Sequence, residues 1–570
     1  MTLRAPRMPD RFRAWLINRY TAFLLVLLVW TTVLQFLGGL GSFYYHVPFE
    51  GPLVLYLYWL LNAIQRRDQW TPWVAGLPIV TLYGLYDGFF LAYGAVFRIV
   101  NFSELPELLQ VLPLPHKTGL LSALGLPMLL VLVRTDWRKY RRALIGCVPA
   151  VFLGASTHLG AERFVNIFDE IGTDVVVWSD ELSVENNGRF AMLFYFEAQR
   201  RLALEQSASF RDRAAYTGEA TKLAAALRDH GANRHVHLVV MESFIDPTLF
   251  KGVRYSKDPR HPDYVARFGR NAGYSLSPVF GGGTAQAEFE VLCGVPAFRA
   301  LSSIEFNAFT GAPAFCLPGI LMQAGYRTLA SNAYKPNFFN AIKAYTGIGF
   351  GEAFFPAEYA RQRSTYLSAA EVPAGEQYLF DGDLFDQNHD FVAEQVRVNP
   401  DQPLFNYVLS MYGHFPHAMD PKLRPPVLTM ESRHKDDQLR LAANQHYYRT
   451  RAIADYVRKL IELDPKSLIV IVSDHLPPLE DGTGTYKKLG YMANIEDSTS
   501  YNRILVVENG KPVRYRNIHH YDIPSLVMNY LTDGWYCRNN DCNLFRSTHD
   551  RADYRDRYMR LMAHAVDAVE

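Results

Sequence analysis

The chain has 570 residues, of which 49% are hydrophobic, 14% aromatic and 20% charged, with a formal net charge of +1. That balance excludes a disordered chain and a protein that coats nucleic acid by bulk charge, and the length asks for at least two structural units. A mean hydropathy near zero hides an uneven distribution: nearly all long apolar runs precede about residue 160, and a mixed, water-compatible composition follows.

Residues 20–41 (YTAFLLVLLVWTTVLQFLGGLG) exceed the roughly 20 apolar residues that cross a bilayer core. No small-residue cleavage site follows, so the segment predicts an anchor and not a removable signal. Four further spans are expected at about 50–64, 74–98, 118–133 and 143–160, with Asp87 interrupting the third. Asp87 there reads either as functional or as the partner of a neighbouring helix end.

Lys and Arg in short loops mark the cytoplasmic side. Arg4, Arg7, Arg11 and Arg13 precede the first span, Arg66 and Arg67 follow the second, and Arg134, Arg138, Lys139, Arg141 and Arg142 follow the fourth. The 42–49 loop has no Lys or Arg, and the 99–117 loop has only Lys117. Five spans put the basic clusters on one side and everything after residue 160 on the other. The expectation is a multi-pass protein of the bacterial cytoplasmic (inner) membrane with its larger half extracytoplasmic, that is, periplasmic.

Cys147 falls in the fifth span, whereas Cys293, Cys316, Cys537 and Cys542 fall in the exported half, where two disulfides are permitted. Cys537 with Cys542 and Cys293 with Cys316 is one pairing, which the sequence alone does not establish. A zinc site of four cysteines is the weaker reading, because no CxxC pair is present. Residues 161–233 are amphipathic and helical, with Phe190, Phe194, Tyr195 and Phe196 preceding a charged run from Glu197 to Glu205. They read as a juxtamembrane linker near the headgroups or as a plain helical spacer. The expected division is a transmembrane domain 1–160, a helical linker 161–233 and an extracytoplasmic domain 234–570.

From 235 the pattern changes to short β-rich runs separated by helical stretches: HVHLVVME, GYRTLAS, PLFNYVLSM, SLIVIVSD and RILVVEN. That alternation predicts an α/β domain with a largely parallel central sheet. Ligands of such sheets sit beyond the carboxyl ends of the strands, so the residues at each exit carry the most information. The first run ends in Glu242-Ser243, the fourth in Asp474-His475, and PLFNYVLSM runs into Tyr412-Gly413-His414-Phe415-Pro416-His417.

Two carboxylates and an imidazole are three parts of a divalent-metal site, which one more oxygen ligand completes. Thr284 is the candidate, in GGGTAQAEFE (281–290), where glycines let the backbone approach an anion and a helix begins. A hydroxyl there suits both a metal ligand and a nucleophile, because metal coordination lowers its pKa. Taken singly, a glycine run is a flexible turn, Asp-His a polar strand end and Glu-Ser a cap; the joint order is what points to chemistry.

These residues resemble the lipoteichoic acid synthase and phosphoglycerol transferase branch of the alkaline phosphatase and sulfatase superfamily, over roughly 235–535 and in the five-span N-terminal architecture. The resemblance implies a sulfatase-like catalytic domain with a metal-binding Glu242 in MESF, a Thr284 nucleophile in the Gly-rich T-x-x-x-EF segment, a substrate-binding and catalytic His414 in HFP, and the metal ligands Asp474 and His475 in SDH. Asp522-Ile523-Pro524 matches a D-I-P segment before a late helix and reads as structural. One departure stands out. Family members often carry F-W-N-R for the glycerol phosphate; here the stretch is Phe338-Phe339-Asn340-Ala341, without the Arg. Phe339, Asn340 and Lys335 are the substrate-binding candidates that remain, and Lys343 is a further neighbouring cation.

C-x-P-x-R, which sulfatases need for formylglycine, is missing: Cys316-Leu317-Pro318-Gly319-Ile320 lacks the Arg and Cys293 precedes Gly-Val-Pro. No second set of Asp and His ligands suggests a two-metal alkaline phosphatase. The function that the resemblance implies is a metal-dependent transferase that moves phosphoglycerol from phosphatidylglycerol to an extracytoplasmic glycan or polymer through a phosphothreonine. Its cofactor is one divalent ion, Mn2+ by the resemblance, with Zn2+ or Mg2+ compatible. The expected partners are a phospholipid donor, a glycan or polymer acceptor and the membrane, with no nucleic acid. Phosphoethanolamine transfer from phosphatidylethanolamine, and a non-catalytic glycan-binding membrane protein, are the alternatives.

Overall fold

Apolar helices occupy the first part of the chain in the computed structural model, which describes residues 18–93, 96–171, 175, 180–269, 271–540, 542, 544 and 553–566. Five helices stand where the spans are expected: α1 Arg19–Phe36, α2 Val47–Ile64, α3 Thr71–Tyr93, α4 Leu114–Arg134 and α5 Tyr140–Leu159. Among the described residues three of them, α1, α3 and α4, are long and apolar enough to cross a membrane. A fourth span results if α5 and the following α6 (Ala161–Ile171) count as one, although they meet at 109°. The first turn of α2 has side chains outside those described, as do Arg4, Arg7, Arg11 and Arg13.

The chain separates into two compact units. One holds residues up to 91 and 95–205; the other holds 92–94 and 206–570. The helices after residue 160 thus divide between the units. In the first, Ala161, Val165 and Phe168 of α6 and Met192 and Tyr195 of α7 (Arg189–Ser207) share a buried cluster with Leu40 and Tyr86. Asp87 finds its partner in the same unit: its Oδ1 and Oδ2 accept from Arg189 Nε and Nη2 at 2.6 and 2.7 Å, with both side chains at most 2% exposed. Arg189 also donates to the carbonyls of Leu40 and Gly41. Glu50 accepts from the Tyr83 hydroxyl and the Phe190 amide. Every one of these buried charges is hydrogen-bonded, the condition for burying them at all.

The second unit is built on a nine-stranded sheet of order β11-β3-β9-β8-β1-β6-β4-β5, with β10 paired to β9. Its strands are β1 Val236–Met241, β3 Gly273–Leu276, β4 Arg327–Asn332, β5 Glu352–Phe354, β6 Leu404–Leu409, β8 Leu468–Ser473, β9 Tyr501–Glu508, β10 Lys511–Val513 and β11 Ile518–His519. A separate ribbon pairs β2 Val253–Tyr255 with β7 Met430–Ser432. The five strands β8, β1, β6, β4 and β5 are parallel neighbours, whereas β9 runs antiparallel to both β8 and β3. Every residue of β1, β6 and β8 is buried, as continuous apolar runs in a sheet covered on both faces require. Strands from the HVHLVVM, PLFNYVLSM and SLIVIVS runs therefore lie side by side, and their carboxyl ends open at one place. Four cysteines of this unit form two disulfides, Cys293–Cys316 and Cys537–Cys542.

Candidate metal-dependent active site

The register of the central strands decides which side chains meet. Met241 of β1 pairs with Ser473 of β8, so the next residues, Glu242 and Asp474, leave the sheet side by side. Ligand atoms of Glu242, Asp474 and His475 all lie within 4.8 Å of one another, and all three residues are buried. The exit turn after β1 is held open by Ser243, whose φ of 48° is unusual for a residue with a side chain. Its amide donates to Asp474 Oδ1 and its hydroxyl to Glu242 Oε1, both at 2.7 Å.

Thr284 is the first residue of the ten-residue helix α8, Thr284–Cys293, every residue of which is buried. Gly283 before it has φ 79°, a left-handed turn open to glycine at no steric cost. The turn brings Thr284 Oγ1 to donate to Glu242 Oε2 at 2.9 Å. The four residues expected at the metal centre thus converge, although 232 positions separate Glu242 from Asp474 in the sequence.

The donor set fits a cation. Asp474 Oδ2 and His475 Nε2 are buried with no hydrogen-bond partner, and they lie 3.2 Å apart, with His475 Nε2 3.8 Å from Glu242 Oε1. His475 Nδ1 faces the Leu476 carbonyl at 3.1 Å, so it carries the hydrogen and leaves the Nε2 lone pair turned to the carboxylates. Burial and the Glu242 charge push the Asp474 carboxyl well up. Burial also acts upward on Glu242, but the neighbouring His414 and His475 rings and the Ser243 and Thr284 hydroxyls outweigh it, for a net downward shift. Two carboxylates that repel in a dry pocket, beside an unprotonated imidazole nitrogen, form a hard to borderline ligand set.

His414 stands on the loop after β6, half-buried, close enough for its charge to act on both Glu242 and His475. Its Nδ1 donates to the Phe415 carbonyl at 2.6 Å, which leaves Nε2 as the atom free for chemistry. Gly413 is obligatory in shape: a side chain there would collide with the Glu242 carbonyl and the Arg449 guanidinium.

The remaining candidates lie on the stretch after β4. Lys335 Nζ sits over the Tyr334 ring at 5.3 Å, and Tyr334 connects through Tyr378 to His414 by ring contacts of 5.8 and 5.3 Å. Phe339 and Asn340 are consecutive left-handed residues, φ 46° and 55°. The Asn340 amide nitrogen holds that shape by donating to the carbonyls of Phe306 and Phe309, each at 2.8 Å. Ala341, where the Arg is missing, is buried, and Lys343 is exposed.

Three supporting residues escape sequence reasoning. Arg449, on the helix Asp437–Leu463, donates to the Glu242 and Ser243 carbonyls at 2.7 and 3.3 Å and pairs with Asp381 at 2.6 Å. His520, fully buried, donates from Nε2 to the Ser473 carbonyl at 2.9 Å and accepts at Nδ1 from Ser275. Tyr378 faces His414. Arg449 and Tyr378 lie at no strand exit, and His520 follows a strand of only two residues, β11, that no apolar run announces, so no local signal distinguishes them.

A Rhizobium meliloti (strain 1021) protein whose name assigns it to cyclic beta-1,2-glucan modification is 24% identical over 430 residues, covering 72% of this chain and 62% of its own length. This chain therefore spans less than two thirds of that relative. Among solved structures, Streptococcus pyogenes phosphoglycerol transferase GacH in complex with sn-glycerol-1-phosphate aligns with a TM-score of 0.46 at 19% identity, over 63% of this chain and 92% of that one. The Listeria monocytogenes lipoteichoic acid synthase LtaP aligns at 0.42 and 16% identity, over 55% and 78%. The profile of the family named Sulfatase matches residues 234–532, more than half of the chain and the whole of the sheet with its site. The chain belongs to the sulfatase family.

Proposed function

We propose that this protein is a membrane-anchored, metal-dependent transferase that moves phosphoglycerol from phosphatidylglycerol to an extracytoplasmic glycan or polymer through a phosphothreonine. The observation that carries the reading is the contact between Thr284 Oγ1 and Glu242 Oε2, 2.9 Å, in the midst of a buried carboxylate and imidazole cluster. The reading takes a threonine, Thr284, as the nucleophile, and both cysteines of the neighbouring segments, Cys293 and Cys316, are bonded to each other. That chemistry favours phosphate over sulfate esters.

Thr284 Oγ1 bonds to phosphorus as its proton passes to the Glu242 side, and the bond to the diacylglycerol oxygen breaks. His414 Nε2 gives that leaving oxygen its proton and recovers one from the acceptor hydroxyl, which displaces Thr284 in the second half while the departing Thr284 oxygen takes its own proton back from the Glu242 side. A divalent ion held by Glu242, Thr284, Asp474 and His475, Mn2+ by the family resemblance, supplies Lewis-acid stabilisation of the phosphoryl charge and lowers the threonine pKa. The apolar helices keep the domain beside its lipid donor, which replaces a search through solvent by a local encounter. Arg66, Arg67 and the basic run Arg134 to Arg142 support a multi-pass arrangement with residues after 160 extracytoplasmic, and the two disulfides suit the same compartment. The name of the Rhizobium relative supports a glycan acceptor.

Phosphoethanolamine transfer is the second reading, favoured by one observation: a buried alanine, Ala341, stands where the resemblance puts the headgroup-binding arginine. Incubating the full chain with radiolabelled phosphatidylglycerol or phosphatidylethanolamine and measuring released diacylglycerol separates the two. Thr284→Ala is expected to lower that release by about a thousandfold or more. Retained turnover in that variant overturns the covalent mechanism.

A further inference from the structure

The hydroxyl of Tyr378 has no assigned task and an uncommitted hydrogen. It lies 3.5 Å from His414 Nδ1. That nitrogen already gives its own hydrogen to the Phe415 carbonyl at 2.6 Å, and a nitrogen that bears hydrogen cannot accept another. The Tyr378 O–H is therefore not spent on His414. Tyr378 is only 7% exposed, and an O–H donor shielded from water is valuable only where an acceptor arrives.

The loop that carries Tyr378 is not free to drift. Its neighbour Glu376, buried, accepts from the Tyr412 hydroxyl at 2.8 Å, the Asp420 amide at 3.0 Å and Arg424 Nε at 2.8 Å. Those three donors flank His414 on the loop after β6. One carboxylate thus clamps the Tyr378 loop to the His414 loop, and the two rings face each other at 5.3 Å. Tyr334 and Tyr359 pack around the same ring system. Burial, with the charges of Tyr334, Glu242 and Tyr359 added, pushes the Tyr378 phenol up, so it stays a donor across the physiological range and never acts as a base.

We propose that Tyr378 is a further catalytic residue, whose O–H donates a hydrogen bond to a non-bridging phosphoryl oxygen of the diester on the His414 side of Thr284. No proton changes owner in this step. The phenol keeps its hydrogen throughout, and the hydrogen bond shortens as negative charge builds on the phosphoryl oxygens in the transition state. The role rests on the transferase reading and divides labour around the phosphorus: Thr284 and the metal ligands on one side, with His414 handling the moving proton and Tyr378 the static charge on the other.

Tyr378→Phe removes one oxygen and keeps the ring against Tyr334 and His414. In the full chain, purified in detergent with Mn2+ supplied, diacylglycerol release by this variant is expected to drop about 10- to 100-fold, mainly in kcat, with the thermal midpoint unchanged. A rate within twofold of the parent overturns the proposal. Thr284→Ala, run in parallel, tests the underlying reading separately: its retained turnover condemns the covalent mechanism, whereas its loss together with a normal Tyr378→Phe condemns the role of Tyr378 alone. A second measurement does not depend on the variant folding. With 3-fluorotyrosine at position 378 of the otherwise unchanged chain, the 19F resonance is expected to shift when sn-glycerol phosphate saturates the site. An unmoved resonance at saturation also overturns the proposal.

Discussion

Glu288 lies one turn after Thr284 along α8 and carries a charge that the fold disfavours. Its Oε1 accepts from the Tyr345 and Tyr407 hydroxyls at 2.6 and 2.7 Å, yet burial dominates and pushes the carboxyl from its ordinary 4.5 up to about 7. The native state therefore holds this proton over a pH range in which the unfolded chain has lost it, and stability declines as pH rises from about 4.5 to 7. Glu288→Gln keeps an oxygen for both tyrosines and deletes the titration. The variant is expected to be more stable than the parent above pH 7, on the order of 3 kcal/mol, with the gap closing near pH 4; urea unfolding from pH 4 to 8 measures it. At this scale the sequence is informative for the residues that converge at the candidate site and nearly silent for those that support them. Glu242, Thr284, Asp474 and His475 are residue types with few other reasons to follow an apolar run or a glycine turn. Arg449 and Tyr378 acquire meaning only through what folding sets beside them. Asn340 carries the opposite lesson, since its amide is engaged with the backbone carbonyls of Phe306 and Phe309.

Elements are legible in proportion to how fully they are buried. β1, β4, β6 and β8 coincide with four of the five expected strands because an interior parallel strand must be apolar on both faces. The fifth, β9, is present but antiparallel, a property of chain routing that no composition records. β3, β10 and β11 are short and lie toward the sheet's edge or off its main path, without a distinctive pattern. The helix Asp437–Leu463 has the amphipathic character of a surface helix, yet Arg449 projects from it into the site's foundations. Arg449→Met is expected to cost about 3–5 kcal/mol, because it strands Asp381 in the interior. Loosening the Glu242 carbonyl is also expected to weaken Mn2+ binding about 10- to 100-fold. Adding Asp381→Leu to Arg449→Met should recover much of the stability but not the metal affinity; calorimetric titration and unfolding of both variants check the distinction.

On the scale of the whole molecule, the uneven hydropathy marks the helical first unit, and the boundary between units is where the reading is coarsest. Residues 161–205 read as linker but share the core of the first unit through Val165, Phe168, Met192 and Tyr195, because alternating polar and apolar residues describe a half-buried helix without naming its neighbour. Asp87 could be followed only to two options; the bidentate contact with Arg189, 102 positions later, selects pairing. The orientation proposed from the basic loops makes a direct prediction. An alkaline phosphatase reporter joined after residue 570 is expected to be active in bacterial cells, and a cytoplasm-dependent fluorescent reporter at the same point dark. The reverse result places the site on the wrong face of the bilayer for an exported acceptor.

The side-by-side exit of Met241 and Ser473 bears on how this catalyst comes into being. A nascent chain that has emerged through Thr284 already owns its attacking hydroxyl, but Asp474 and His475 arrive nearly 200 residues later. On the proposed reading, until the late strand inserts beside the early one, the unfinished domain lacks two of the three clustered ligand residues and would have no grip on an ion. Ion capture would then double as an assembly checkpoint, and fragments ending before residue 474 should stay chemically inert however well their first strands pair.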